Sequence, residues 1–167
     1  MKHVFSIFIV DPRNGKFVHP EDWAAVEDPT IADVIAIERT DGTGIFLGKR
    51  LARKDGEIVF AKWEEARKLA AEFTSIGTVN APEGFRLPDR RECLDIYDAR
   101  FQGLDKALEL IGGDPVNGRW IWTDDEDPDP ECNSNTAFVL YGTRGYVSNL
   151  SKYSPNTVRP VSAFLPF

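Results

Sequence analysis

The chain has 167 residues, of which 42% are hydrophobic and 28% charged, and its formal net charge is −7. That length suffices for one domain with a sizeable core. The acidic balance argues against general affinity for nucleic acid or anionic membrane surfaces, which select a cationic field, and no apolar run is long enough to cross a bilayer.

The opening "VFSIFIV" reads as a first strand rather than a leader, because the apolar run from Val4 to Val10 is short, contains Ser6 and has no small-residue cleavage site after it. "DPRNG" is a turn cluster, and "KFVH" returns beside the first strand. "PEDWAAVEDPT" is a loop or a single helical turn. "DVIAIER" and "IFLGKRLA" flank "TDGTG" as a β-hairpin, and "KDGEIVF" adds a turn and a short strand. The basic run 48–54 within this region, "GKRLARK", reads as a solvated strand end.

The middle of the chain is helical. "KWEEARKLAAEF" sets Trp63, Ala66, Ala70 and Phe73 on one face at helical spacing. After a loop, Pro88 forces Leu87 towards an extended shape, Asp89 stands at an N-cap, and Glu92 stands three residues on as the reciprocal partner of a capping box. Leu94, Tyr97 and Phe101 are expected to form the buried face of this second helix. "LDKALELI" continues as a third helix with Leu104, Leu108 and Ile111 inward, stopped by "GGDPVNG". The last fifty residues return to β: "RWIWT", "TAFVLY", "GYVSNL" and "NTVRPVSAF", with "GTRG" as a tight turn and "DDEDPDPECNSN" as an acidic loop. Strands, helices and strands in that order define an α+β domain whose N- and C-terminal strands share a sheet.

Few residues carry chemistry. The only histidines, His3 and His19, read as ordinary strand or turn residues, and no Cys/His cluster has zinc spacing. The carboxylates Asp124, Asp125, Glu126, Asp127, Asp129 and Glu131 are oxygen ligands of the kind calcium favours, but they lack the ordered Asp/Asn/Gly spacing of a calcium loop, and a solvated loop is the preferred reading. Cys93 and Cys132 make no disulfide framework; Cys93 reads as a buried free thiol, and a pairing of the two stays open. No serine sits in a nucleophile elbow, and the glycine pairs lack the lysine and spacing of a phosphate loop.

Aromatics and amides dominate what is left. Trp120 and Trp122 alternate along one strand and so share a face, with core packing as the favoured reading. Tyr141, Tyr146 and Tyr153 lie among Asn133, Asn135, Asn149, Arg144 and several serines. Such a mixture suits an adaptable recognition surface, since Tyr supplies rigid contact area and Ser and Asn supply hydrogen bonds. A plain polar β-surface has the same composition.

Several ordered motifs resemble the C-type-lectin-like domains of the Lcl C-terminal-domain type, which are related in fold to formylglycine-generating enzymes and to the variable proteins of diversity-generating retroelements. "KWEEARKLAAEF" is similar to the family's W-x-x-A helix. "GFRLPDRREC" resembles its G-[WF]-R-L-P-[ST]-x-x-E signature at Gly84, Phe85, Arg86, Leu87, Pro88 and Glu92. "GRWIWTDDE", "TAFVLY" with "GYVSNL", and "NTVRPVSAF" resemble its later strands, so the match spans roughly residues 30–167. The resemblance implies one C-type lectin-like domain over residues 1–167, with residues 1–30 as a less defined β extension, N- and C-terminal strands paired, two main helices and a loop-rich ligand face. It assigns "GFRLPDRREC" to the scaffold. No "EPN", "QPD" or "WND" sugar–calcium motif is present, and the paired catalytic cysteines of the formylglycine-generating enzymes are unmatched.

The expectation is therefore a non-enzymatic recognition module with no cofactor or metal. It binds a protein or glycan through its C-terminal surface, with Trp122, Asn133, Asn135, Tyr141, Arg144, Tyr146, Asn149 and Tyr153 as candidate contacts. The alternatives are a structural part of a phage or surface assembly, which makes a homo-oligomer compatible, and an enzyme of the formylglycine-generating fold without its chemistry. Without a clear leader, a cytoplasmic or phage-particle location is expected over secretion.

Overall fold

The computed structural model of the chain describes residues 4–75, 81, 83–127, 129 and 135–165. The opening apolar run forms β1 (Phe5–Val10), and β2 (Phe17–Val18) returns antiparallel to it, pairing Ile9 with Val18. The turn between them is held by Asp11, whose carboxylate accepts from the Arg13 backbone N–H at 2.9 Å and from its guanidinium at 3.0 Å. Those bonds, led by the one from the Arg13 side chain, hold the Asp11 carboxyl below its ordinary range.

A single turn, α1 (Pro20–Trp23), leads to the hairpin of β3 (Val34–Arg39) and β4 (Gly44–Gly48). β5 (Arg53–Lys54) and β6 (Glu57–Ile58) form a small separate hairpin. α2 (Trp63–Glu72) follows, then α3 (Arg90–Ala99) and α4 (Asp105–Leu110). α3 and α4 are separated by a kink at Gln102 and Gly103, where Gly103 has φ 108°. The chain closes with β7 (Trp120–Glu126), β8 (Thr136–Tyr141), β9 (Tyr146–Ser151) and β10 (Val161–Phe164).

Two main sheets result, both antiparallel: five strands ordered β10-β4-β3-β1-β2, and three ordered β7-β8-β9. The α+β arrangement is as the element order predicts, with one correction. The first and last strands share a sheet but are not neighbours, because the β3–β4 hairpin lies between them. β10 pairs with β4, Val161 opposite Leu47, and β1 pairs with β3.

One face of the larger sheet, carrying Ile7, Ile9, Ile35, Ile37, Ile45 and Leu47, packs against Cys93, Ile96, Ala99, Leu104 and Leu108 of the helices. The opposite face gathers Phe46, Phe85 and Phe164 with Phe17 and Phe73 against it, the Phe46 and Phe164 rings 4.7 Å apart. α2 buries Trp63, Ala66 and Ala70 against Leu87, Trp122, Ala137, Val139 and Val158 on one face of the smaller sheet.

The buried face of α3 is not the expected one. Leu94 and Phe101 are exposed, and Glu92, Cys93, Asp95, Ile96 and Ala99 turn inward. Cys93, Ile96 and Ala99 bury on this face against the larger sheet, and the two carboxylates that turn in with them are paired. Asp95 receives the Arg39 guanidinium at 2.6 Å, and Glu92 receives Arg86. The pairing makes the burial of these two carboxylates tolerable, since a buried charge is costly unless paired.

Two further cations are buried as braces. Lys49 donates its ammonium to the carbonyls of Thr30 at 2.7 Å and Ile111 at 2.9 Å, tying the end of β4 to the end of α4, and burial lowers its pKa. Arg159 is fully buried and spans the carbonyls of Gly48, Lys49, Asp114 and Pro115, so that the segment before β10 locks onto two other loops. Desolvation pulls the Arg159 pKa down to about 10.

Candidate functional site

The strands of the smaller sheet align three aromatic residues at one level. Trp120 on β7 is directly opposite Tyr141 on β8, and Tyr141 is directly opposite Tyr146 on β9. Directly opposed residues of an antiparallel sheet point to the same face. The Trp120 and Tyr141 rings stack at 4.6 Å with 17° between their planes. Trp120 is 39% exposed and Tyr146 57% exposed. With strands about 4.8 Å apart, the row is roughly 10 Å wide. Farther along the same face lie Trp122 and Val139, fully covered by the α2 layer. The row is thus the uncovered end of an otherwise buried sheet face, with the exposed Ser148 beside it on β9.

The turn joining β8 to β9 is braced from below. The Arg100 guanidinium donates to the carbonyls of Gly142 and Thr143, and the Gly118 N–H donates to Thr143 Oγ1 at 2.8 Å. Gly145 adopts φ 75°, and a Cβ there would come within 2.6 Å of the Tyr97 ring, so both its backbone and its neighbour require glycine. Arg144 is exposed at the tip of this braced turn. The aromatic row and its neighbouring cation are consequently carried on strands and a braced turn.

Of the eight candidate contacts, the structure brings together Tyr141, Arg144 and Tyr146. Trp122 is a correction to the surface reading. Its side chain is fully buried and its indole N–H donates to the Ala61 carbonyl at 2.8 Å, so it serves the core. Asn149 points to the opposite face, where its amide donates to Asp127 Oδ2 at 2.6 Å. Asn135 is exposed at the far end of the hairpin, about 20 Å along the strand from Tyr141 at the usual rise. Tyr153 is 69% exposed on the segment leaving β9, with the Lys62 ammonium 5.9 Å from its ring centroid. Asn133 lies outside the described residues. Trp120 is the member that residue choice missed. Its signal was position: the first residue of its strand, directly after the "NGR" turn, where the covering layer ends.

The acidic stretch does not converge. Asp124 pairs with Arg67 at 3.0 Å, Asp125 accepts from the Arg90 N–H at 2.8 Å, and Glu126 pairs with Lys152 at 3.1 Å. Among the described residues, no three His, Cys, Asp or Glu side chains form a group able to hold a metal; Glu131 lies outside them. Cys93 is a buried free thiol, and burial pushes its pKa well up. Cys132 also lies outside the described residues.

A separate cleft of about 530 Å³ opens between β3 and α3, lined by Phe5, Arg39, Asp41, Arg91, Leu94 and Asp95. Its Arg39 and Asp95 side chains neutralise one another. Asp41 accepts from the Thr43 hydroxyl at 2.6 Å and from its N–H at 2.9 Å, which lowers its pKa. Among the described residues that line it there is no His, Cys or Ser.

In comparisons with known proteins, no family model and no curated protein matched the chain.

Proposed function

We propose that the chain is a C-type-lectin-like recognition module that performs no catalysis and binds a protein or glycan ligand through the exposed end of the β7–β8–β9 sheet. The observation that carries this reading is the in-register row of Trp120, Tyr141 and Tyr146 on the strands, with Trp120 and Tyr146 exposed and Tyr141 half-buried between them. Trp120, Tyr141 and Tyr146 differ from the singly exposed apolar residues in forming one contiguous aromatic patch, and such a patch supports a contact surface. Tyr and Trp are also the residues whose truncation costs most at interfaces, because they combine large area with few rotatable bonds.

In this reading Trp120, Tyr141 and Tyr146 are the anchors, and Arg144 and Ser148 supply polar contacts at the rim. The "GFRLPDRREC" stretch acts as scaffold, and its capping box and ion pair support that assignment. A screen of the purified protein against immobilised glycans and surface proteins tests the proposal, with a Tyr146→Ala variant in parallel. A ligand bound by the parent protein and lost by the variant supports it. Ligand binding undiminished in both Tyr146→Ala and Trp120→Ala rejects this surface.

A further inference from the structure

β9 is an edge strand of six residues, YVSNLS, with no charged residue and no proline. Proteins usually guard such an edge, because its free N–H and C=O groups template pairing with another strand. The other edges here are guarded. Thr157 exchanges backbone bonds with Trp120 and Trp122 along the outer side of β7. Arg86 exchanges them with Val161 on the outer side of β10, β2 is two residues long, and the β5–β6 hairpin is short and charged. Among the described residues, no backbone bond from another segment reaches the outer side of β9; the part of β1 that β2 leaves unpaired, Phe5–Phe8, is shorter, and its Phe5 N–H donates to Gln102.

The register shows which groups are free. The Lys152 N–H donates to the Asn135 carbonyl at 2.8 Å, which continues the pairing of Thr136 with Ser151. In an antiparallel ladder, hydrogen-bonded and non-hydrogen-bonded positions alternate. Tyr146, Ser148 and Leu150 therefore direct their backbone groups at β8, and Val147, Asn149 and Ser151 direct theirs outward.

We propose that β9 pairs antiparallel with β9 of a second copy of this chain about a two-fold axis through Asn149, joining two three-stranded sheets into one of six strands. Centred there, Asn149 faces its counterpart, Val147 faces Ser151 of the second copy, and Ser151 faces Val147 of the second copy. All three outward positions on each strand are then satisfied. The six residues of β9 carry no charge, and the nearby Asp127 carboxylate is held by the Asn149 amide at 2.6 Å. The contact is isologous and closes at two copies, so the free edges disappear rather than propagate into a fibre. A two-fold axis normal to the sheet also leaves both aromatic rows on the same side. The dimer does not depend on the ligand reading, but it would make that surface bivalent.

Light scattering of the full chain over a dilution series tests the pairing. The parent protein is expected at twice its 18.8 kDa mass. Asn149→Pro removes one outward donor without touching the β8–β9 ladder, the position at which an edge strand tolerates proline, and is expected at the single-chain mass; Asn149→Ala, which loses the same amide bond to Asp127 but keeps the backbone donor, is expected to stay dimeric. Asn149→Cys in a Cys132→Ser background is expected to cross-link to a covalent dimer under mild oxidation, because hydrogen-bonded partners have Cα atoms about 5.5 Å apart, within disulfide reach. The cross-link decides the matter should the proline variant fail to fold. A parent protein that is monomeric throughout the series overturns the proposal, whether or not it captures foreign strands. A dimer that survives Asn149→Pro and gives no cross-link through Asn149→Cys overturns it as well.

Discussion

Arg86 holds Glu92 through two parallel hydrogen bonds, Nη1 to Oε1 at 2.6 Å and Nη2 to Oε2 at 3.0 Å. The same Glu92 oxygen accepts from the Asp89 N–H at 2.9 Å, and Asp89 returns the favour by accepting from the Glu92 N–H at 2.7 Å. The loop before α3, the start of that helix and, through the Arg86 bridge to Val161, the last strand are thereby joined at one carboxylate.

Glu92 is 5% exposed, so removing its partner leaves a nearly buried charge with only its capping bond. Arg86→Ala is expected to destabilise the fold by about 2–3 kcal/mol, less than a fully buried pair because the arginine itself is partly solvated. Arg86→Lys should recover under half of that, since an ammonium cannot form the fork. Urea denaturation of the two variants checks both figures. Equal stability of parent and Arg86→Ala would remove this contact from the scaffold.

Arg159 carries a larger expectation. Four main-chain carbonyls from two loops accept from its terminal nitrogens. No ammonium spans both loops, so Arg159→Lys is expected to cost about 3 kcal/mol, close to the cost of Arg159→Met, as read by thermal or urea unfolding. A lysine variant as stable as the parent would contradict the bracing role.

Cys93 gives a dependence on pH. Its thiol is raised above the ordinary value of 9.0, first by burial and then by the nearby Asp89 and Glu92 carboxylates. Above that pH the unfolded chain releases a thiol proton that the folded chain retains, so the unfolded state gains and stability falls as pH rises past about 9. Cys93→Ala should flatten this alkaline limb of the melting-temperature profile relative to the parent. In the folded protein at neutral pH, the Cys93 thiol should react with a disulfide reagent only on unfolding, measured in a Cys132→Ser background.

Local signals were readable from residues alone. Pro88, Asp89 and Glu92 announce the start of α3 because a capping box is satisfied within four residues. The hairpins around "DPRNG", "TDGTG" and "GTRG" are local in the same sense. What sequence spacing could not supply is the choice between two stripes on α3. Leu94, Tyr97 and Phe101 form the more apolar stripe, yet the inward one carries Cys93, Ile96 and Ala99 into the core, and its Asp95 and Glu92 are paired by Arg39 and Arg86, distant in sequence. The placement of the terminal strands has the same origin. Each strand is visible in the sequence, but the order β10-β4-β3-β1-β2 depends on pairings across the length of the chain. Trp120 and Trp122 differ for a comparable reason. They share a face, and only the extent of the α2 layer decides which one is covered.

The contrast between Tyr146 and Trp122 tests the central claim most directly, once a screen has supplied a ligand. Calorimetric titration and thermal melting would be run on Tyr146→Ala and Trp122→Ala beside the parent protein. Tyr146→Ala is expected to weaken binding at least about 30-fold, a loss of about 2 kcal/mol, while shifting stability by under about 0.5 kcal/mol. Trp122→Ala is expected to cost about 3–5 kcal/mol of folding stability. Tyr146→Ala that binds as tightly as the parent, or that melts as early as Trp122→Ala, would contradict a ligand surface at the open end of this sheet.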